Sequence, residues 1–486
     1  MAESKRRRLI AILQQYQLVI WLVLTLGLGS VFVFTVPPWQ HPDEPTHFEH
    51  VRMIAQLDRL PNPMDVDLSI RKDIALSMLR NKFWRDIQPP QLDDLSLSKP
   101  YNSPLGIYTL GQPRLYYQVA SVWLKPWLSQ QVDTQLYAVR MLSVVFGMCV
   151  VLCAYLCSRW LFGAQSHITP VVCALIVFLP GFTDIMSAVN NDGLVNLFSA
   201  VFLLLLIWGV SHRINLLSGL ILVALMALSL WAAFATKATV IGLAVAVPVG
   251  LIAAGCVRIV LFSRSHQRLR RWLLVISAAL FVVVAAGIVV LAVSIATQSD
   301  NLEIWLSNYL RINVSGTLHN LLSPQSSYDQ VVTVVFRSYF AVFGWRHIYI
   351  ADSLYVLLAL GTVGVVLGLV VWMMRMRHQP ADITQRLMMF MVFAVMVVLG
   401  AWLAAILRSQ ADQGMTSLYH SHGRYAYIAL VPSAILAAVG MVGWLEPRWR
   451  RRAVLAVMLL VITFDAVCFW GYLVPHYYIV PMLGIH

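Results

Sequence analysis

Charge is what this sequence lacks. Lys, Arg, Asp and Glu make up 12 % of its 486 residues, against about 25 % in a soluble domain. That scarcity excludes a soluble globular enzyme, a disordered chain and a collagen. The common nucleotide and hydrolase signatures are missing too: there is no P-loop, no GxGxxG after a strand, no GxSxG and no zinc spacing. The six cysteines all lie inside apolar runs, which argues against a disulfide scaffold and predicts small buried hydrophobes. Cys149, Cys153 and Cys157 share one helix face, and that face offers no polar partner for a metal or redox pair.

What is present is apolar sequence, 59 % of the chain, in recurring runs long enough to cross a bilayer. An outer-membrane barrel would instead show alternating segments of about 10 residues. The chain is therefore expected to be all-α, a polytopic helical integral membrane protein. Spans are predicted at 9–36, 134–162, 169–187, 192–210, 215–234, 237–262, 271–297, 351–374, 387–408, 424–445 and 453–473. The first run is too long for a signal-peptide core and no A-x-A site follows, so it reads as an uncleaved span.

The net charge of +13 points to topology and not to nucleic acid. Lys5 to Arg8, Arg258 to Arg271, Arg375 to Arg386 and Arg448 to Arg452 are short basic loops with few acids among them. Such loops stay in the cytoplasm. All four face inward if the short piece Leu115 to Leu128, which carries Lys125-Pro126, is interfacial or re-entrant and not a crossing. The expectation is eleven spans, N-terminus in and C-terminus out. With no eukaryotic targeting signal, a bacterial inner membrane is expected. The chain then divides into a basic start and first span (1–36), an outer loop with interfacial helices (37–133), a transmembrane core (134–297), a second outer loop (298–350) and a C-terminal bundle (351–486). Long outer loops usually carry function.

The most informative stretch follows the first span: Pro37-Pro38-Trp39-Gln40-His41-Pro42-Asp43-Glu44-Pro45-Thr46-His47-Phe48-Glu49-His50. Asp43 and Glu44 sit where a helix would begin, with Pro45 in its first turn. Phe48, Val51, Ile54 and Ala55 then share a face, which predicts an amphipathic helix lying on the outer membrane surface. Asp43 reads either as a helix cap with solvated histidines nearby, or as a general base partly shielded from water. A divalent-metal site from Asp43, Glu44, His47 and His50 is a further option, although the spacing is not H-E-x-x-H.

Other candidates fall on the same side by topology. Asn190-Asn191-Asp192 joins two spans, with Asn190 read as a turn residue. Lys237 is either a snorkelling anchor or a phosphate contact. Arg346-His347 ends an interfacial stretch, Val331 to Trp345. His420-Ser421-His422-Gly423-Arg424-Tyr425 opens a span, and such a set can surround a phosphate. Asp184 lies near an outer end. Asp465 sits within a span with no assigned role.

In order and type, these features resemble the GT-C superfamily of polyprenyl-phosphate-dependent glycosyltransferases. The matching elements are the basic start, one span, the Asp43-Glu44 pair, and a Q-P-x-L-Y-Y stretch (Gln112, Pro113, Leu115, Tyr116, Tyr117). Arg140, Leu161-Phe162-Gly163, Pro180 and Asn191-Asp192 follow. The layout is similar to protein O-mannosyltransferases and aminoarabinose transferases, and the D-E-P-x-H form with a late G-R-Y resembles bacterial members of that superfamily. The likeness covers residues 1–240, and beyond them only Gly423-Arg424-Tyr425.

The resemblance implies a polyprenyl-phosphate-linked sugar donor bound from the outer leaflet, a glycan, lipid or protein acceptor, and inverting transfer to a hydroxyl. It makes Asp43 the general base and has Glu44, also catalytic, orient the acceptor or donor. Asp192 supports the site, and Lys237 or Arg424 holds the donor phosphate. His47, Tyr116, Asn191, Arg346, His347, His420, His422 and Tyr425 are expected around the substrate. Arg114 stands where the usual P-P-L-Y-Y has its second proline, and is a candidate phosphate contact. No soluble C-terminal domain is expected. Two other readings of the same layout are a lipid-linked glycan polymerase or ligase, whose arginines concentrate in one outer loop, and a transporter or flippase. Transporters place ionisable residues mid-membrane on broken, repeated helices, and no internal repeat is visible here.

Overall fold

The structure, a computed structural model, describes residues 16–62, 65–86, 91–99, 101–102, 104–163, 166–212, 215–262, 328–376, 381–407 and 422–479. It is mostly helical. Its helices are α1 (Gln17–Thr35), α2 (Glu44–Leu57), α3 (Leu68–Arg80), α4 (Leu115–Leu124), α5 (Val132–Phe162), α6 (Ile168–Val177), α7 (Pro180–Met186), α8 (Asp192–Ser211), α9 (Leu216–Thr236), α10 (Ile241–Phe262), α11 (Tyr328–Phe340), α12 (Asp352–Met376), α13 (Ala381–Leu407), α14 (Leu430–Ala438) and α15 (Pro447–Cys468). Two antiparallel ribbons are the only sheets among the described residues: β1 (Tyr101–Asn102) with β2 (Leu105–Gly106), and β3 (Val342–Phe343) with β4 (Ile348–Tyr349).

Nine helical segments among the described residues are long and apolar enough to cross a membrane, or ten if α6 and α7 form one bent span. These fall on ten of the eleven predicted spans. The remaining one, 271–297, lies outside the described residues, as do residues 298–327 of the second outer loop. The predicted span at 169–187 is not straight: α6 and α7 meet at 60°. Pro180 has no N–H to continue the α6 ladder, and the Thr183 hydroxyl donates back to the carbonyls of Val177 (3.1 Å) and Leu179 (3.3 Å). A side-chain donor inside the membrane is how a break is tolerated. Gly181 lets the Tyr427 hydroxyl and the Tyr339 and Phe340 carbonyls crowd this corner.

The segment after α1 departs from the amphipathic-surface expectation. Every residue of α2 from Glu44 to Ala55 is buried, so the helix does not lie in a membrane surface with one face in water. Its apolar side, Phe48, Val51 and Ile54, joins a core with Ile70, Ile74, Tyr116, Tyr117, Leu136 and Val139. Its polar side is covered by partners of opposite charge or by hydrogen-bonding groups. Glu49 accepts from Arg71 Nε (2.7 Å) and from the Gly106 amide (2.9 Å). Arg52 meets Asp73 at 2.7 Å. Burial raises the Glu49 pKa, with Arg71 opposing it. The piece at Leu115 is a helix of 10 residues, half buried against this core, and too short to cross.

Arg140, in the third turn of α5, ties the segment after α1 to the helical bundle. Its Nη1 donates to the carbonyls of Val33 (2.9 Å) and Val36 (2.7 Å), and its Nη2 to that of Pro37 (3.0 Å). The Val33 and Val36 carbonyls are among those orphaned at the end of α1, where a cation also complements the helix dipole. The other edge of the guanidinium grips Glu44 through Nε–Oε1 (2.8 Å) and Nη2–Oε2 (2.6 Å). Both side chains are fully enclosed. Removing one partner of a buried pair costs ~3–5 kcal/mol. Arg140→Met is therefore expected to melt well below the parent in detergent, and Arg140→Lys to rescue little, since an ammonium cannot serve carboxylate and carbonyls at once. A parental melting temperature for Arg140→Met would contradict this placement.

Candidate functional site

The ends of five separated segments meet around Asp43, Arg424 and Asp192: the turn after α1, the α7–α8 junction, the α9–α10 junction, the β3–β4 turn and the start of the span at Gly423. Sequence topology had put these ends on one side, and the structure brings most of them into contact.

Asp43 is at the N-cap position of α2 but does not cap it. Its backbone is left-handed, with φ 62°, and its side chain makes no bond to the helix amides. That conformation is uncommon outside glycine and aims the carboxylate outward from the helix. Oδ1 accepts from the Tyr108 hydroxyl at 2.6 Å, and Oδ2 from Arg424 Nη2 at 2.9 Å. Its side chain keeps 32 % of its exposure. Glu44, one residue on, has none, and its two oxygens are taken by Arg140, the Trp39 amide (3.0 Å) and the Val189 amide (3.2 Å). Two adjacent acids therefore have different surroundings, one open and one sealed.

From Asp43 the charges alternate. Arg424 also approaches Asp192, Nε to Oδ2 at 3.5 Å, and Asp192 Oδ1 accepts from Lys237 Nζ at 2.6 Å. Tyr425 lies under both cations, its ring centroid 5.3 Å from Lys237 Nζ and 5.5 Å from the Arg424 guanidinium carbon. Lys237 is thus a buried ion-pair member and not a snorkelling anchor. His422 accepts from the Arg424 amide through Nδ1 (3.1 Å) and starts the turn that presents Arg424. Asn190 caps the next helix, accepting from the Asp192 and Gly193 amides, so Asp192 is delivered rigidly. Arg346 sits in the β3–β4 turn with φ 69°, in the electrostatic reach of Arg424 and Asp43.

A second, largely neutral network adjoins Asp43. His47 Nδ1 and the Tyr117 hydroxyl are 2.9 Å apart, and that hydroxyl donates to Gln112 Oε1 at 3.3 Å. Gln112 also accepts from Asn191 Nδ2 at 2.8 Å. His50 stacks on Tyr117 with centroids 3.9 Å apart, and its Nδ1 is 3.0 Å from Thr109 Oγ1. Tyr116 is enclosed against Tyr117 and reaches no open surface.

Two candidates lie apart from the charge chain. Arg114 is exposed at the start of α4. His347 is exposed, with its Nε2 3.1 Å from that of His476. His420 is outside the described residues. The proposed metal donors do not fit a metal either. Glu44 is spent on Arg140, Asp43 on Arg424 and Tyr108, and His47 and His50 on Tyr117 and Thr109. Among the described residues no three His, Cys, Asp or Glu groups converge as ligands. Tyr108, Thr109 and the buried His41–Asp184 contact (3.3 Å) were not anticipated; only the polar run Tyr108-Thr109 just ahead of the Q-P-x-L-Y-Y stretch hinted at the first two.

The electrostatics follow from this packing. Asp43 is open only in part, and its desolvation works against the ionised form, but the Arg424 charge and the Tyr108 hydrogen bond overcome it and hold the carboxyl well below the usual range. Glu44 is likewise lowered, with burial opposed by Arg140. Burial pushes His47 down to about 4, against the pull of Asp43. It pushes His50 down to about 3, helped by His47 and Arg114. Both imidazoles are neutral at pH 7.

No family model matches the chain, and no curated protein matches it. Among solved structures, it is similar to ArnT from Cupriavidus metallidurans bound to undecaprenyl phosphate, at 14 % identity and a TM-score of 0.49, over 93 % of this chain and 63 % of that one. The apo structure of the same protein gives 13 % identity and a TM-score of 0.45, over 90 % and 62 %. The chain thus spans less than two thirds of the protein it matches, and the bound lipid is a property of that protein.

The histidine pair has a pH consequence. The unfolded chain takes up protons near the ordinary histidine pKa of 6.5, whereas folded His47 resists until about 4 and His50 until about 3. The stability they contribute is whole above pH 6.5 and lost as pH falls toward those values. Thermal unfolding in detergent should therefore drop between pH 6.5 and 4, and His47→Gln or His50→Gln should flatten the drop. An unchanged slope in both variants would contradict the buried neutral assignment.

Proposed function

We propose that this membrane protein is an inverting glycosyltransferase that moves a sugar from a polyprenyl-phosphate donor to a hydroxyl acceptor at the outer face of a bacterial inner membrane, with its N-terminus in the cytoplasm. The observation that carries the reading is the contrast between the two acids: Asp43 is open and ionised, Glu44 is sealed into the scaffold, and Asp43 alone leads into the chain of Arg424, Asp192 and Lys237. A base next to a cluster of cations suits an alcohol nucleophile and a phosphate leaving group. The sequence resemblance to the GT-C superfamily supports it independently.

In this mechanism the polyprenyl tail stays in the bilayer and the phosphate reaches the site at the interface. Arg424 and Lys237, together with Arg346, neutralise its charge. The acceptor oxygen attacks the anomeric carbon from the face opposite the phosphate, and Asp43 takes its proton. The anomeric C–O bond breaks, and polyprenyl phosphate leaves with the electron pair. Glu44 holds Asp43 in position and does not touch the substrate. His422, Tyr425, Asn191 and His47 shape the surroundings.

A positioned base contributes about 10²–10⁴-fold. Asp43→Asn is expected to lose turnover by that factor while melting like the parent, and Arg424→Ala to raise KM for the donor. The assay is glycosyl transfer with lipid-linked donors in reconstituted vesicles, after mass spectrometry of lipid extracted from the purified protein names the sugar. Full turnover in Asp43→Asn would remove the base assignment; an unchanged donor KM in Arg424→Ala would move the phosphate site elsewhere.

A further inference from the structure

As the site stands, both oxygens of Asp43 are engaged. Oδ2 is on Arg424 Nη2 (2.9 Å) and Oδ1 on Tyr108 (2.6 Å). A carboxylate paired in this way is a poor proton acceptor, because the cation stabilises the form that has not yet taken the proton. Arg424, by contrast, is underused. Its Nε and Nη1 are buried with no hydrogen-bond partner among the described residues, and so is Asp192 Oδ2 at 3.5 Å from Nε. Buried donors left unmade carry a desolvation cost, and Lys237 already occupies the other oxygen of Asp192. The guanidinium is thus anchored by one hydrogen bond, from Nη2, and freeing that Nη2 would complete a fork with the unpartnered Nη1. A phosphate ester accepts such a fork bidentately.

We propose that Arg424 is exchanged between Asp43 and the donor phosphate, so that arrival of the donor is what releases the base. This rests on the reading of the site as a phosphate-ester site. In the donor-free state Arg424 restrains Asp43. When the phosphate enters, Arg424 turns its Nη groups to the phosphate oxygens, Asp192 keeps Nε within reach, and Asp43 is left with Tyr108. Base strength and donor occupancy are then linked, which restricts proton abstraction to the complex that can use it. The linkage is reciprocal: whatever weakens the hold of Asp43 on Arg424 must tighten phosphate binding.

The test is farnesyl phosphate binding to the full detergent-purified chain by isothermal titration calorimetry, in the parent, Asp43→Asn, Arg424→Ala and the double variant. Asp43→Asn is expected to bind about tenfold more tightly than the parent, within the usual range of coupling between linked sites. Arg424→Ala should bind more weakly, and in its background Asp43→Asn should add nothing. Arg424→Lys, which keeps the charge and loses the fork, serves in place of Arg424→Ala should that variant fail to fold. Equal tightening with and without Arg424 would mean simple charge repulsion by Asp43 and would overturn the exchange, while leaving the phosphate site intact. Parental affinity in Asp43→Asn would overturn it too. No farnesyl phosphate binding by the parent would remove the phosphate site itself, and the exchange with it.

Discussion

The Arg140–Glu44 pair is the constraint on which the rest of the site depends. Each ion alone would cost several kcal/mol to bury. Here the cost is offset because every hydrogen-bonding direction is used. Arg140 closes the carbonyl end of the first span while holding Glu44, and Glu44 in turn accepts from the amides of Trp39 and Val189. One carboxylate therefore fastens the end of α1, the turn after it, the start of α2 and the α7–α8 junction. Asp43 follows from that clamp. With Glu44 pinned inward, the preceding residue turns through a left-handed backbone and faces out. The open acid is open because its neighbour is closed.

The same logic of mutual neutralisation governs the cations. Lys237 begins a helix at the end of a long apolar hairpin, where an isolated ammonium would be expected to reach for water. It is instead buried on Asp192, which Asn190 holds in place through two amide bonds. Arg424 enters between Asp192 and Asp43, with Tyr425 facing both cations. An alternating row of charges keeps each one affordable near the membrane, and it leaves the row sensitive at its open end. A new anion reaching Arg424 must compete with Asp43 directly.

The spans were legible in the sequence because a bilayer allows few solutions: an apolar run of sufficient length must be helical. The break at Phe178-Leu179 was not, since its signal is Pro180 alone and its repair comes from Thr183. The acid pair, the Asn-Asp turn, Lys237 and the Gly-Arg-Tyr element could be named as candidates from residue type and sidedness. Which acid is open could not, because that depends on Arg140, 96 residues away. Helix α2 misled for a physical reason. Its period places Glu49 opposite Val51 and Ile54, with Arg52 at the margin of the apolar stripe, and a 3.6-residue pattern cannot distinguish a polar face in water from one buried on Arg71 and Asp73.

That burial also bears on what the segment between α1 and α5 is for. A helix floating on the membrane would let Asp43 move with the lipid surface. Helix α2 is instead enclosed on one side by α4 and α5 and on the other by α3, β2 and the Tyr108 turn. The neutral stack of His47, Tyr117 and His50 fills the space between them without adding charge beside Asp43. Neutral histidines matter there. A charged imidazole at His47 would offer Asp43 a second cation and hold it paired even when Arg424 turned away. Burial of these rings is therefore part of what leaves Arg424 as the principal partner that sets the state of Asp43.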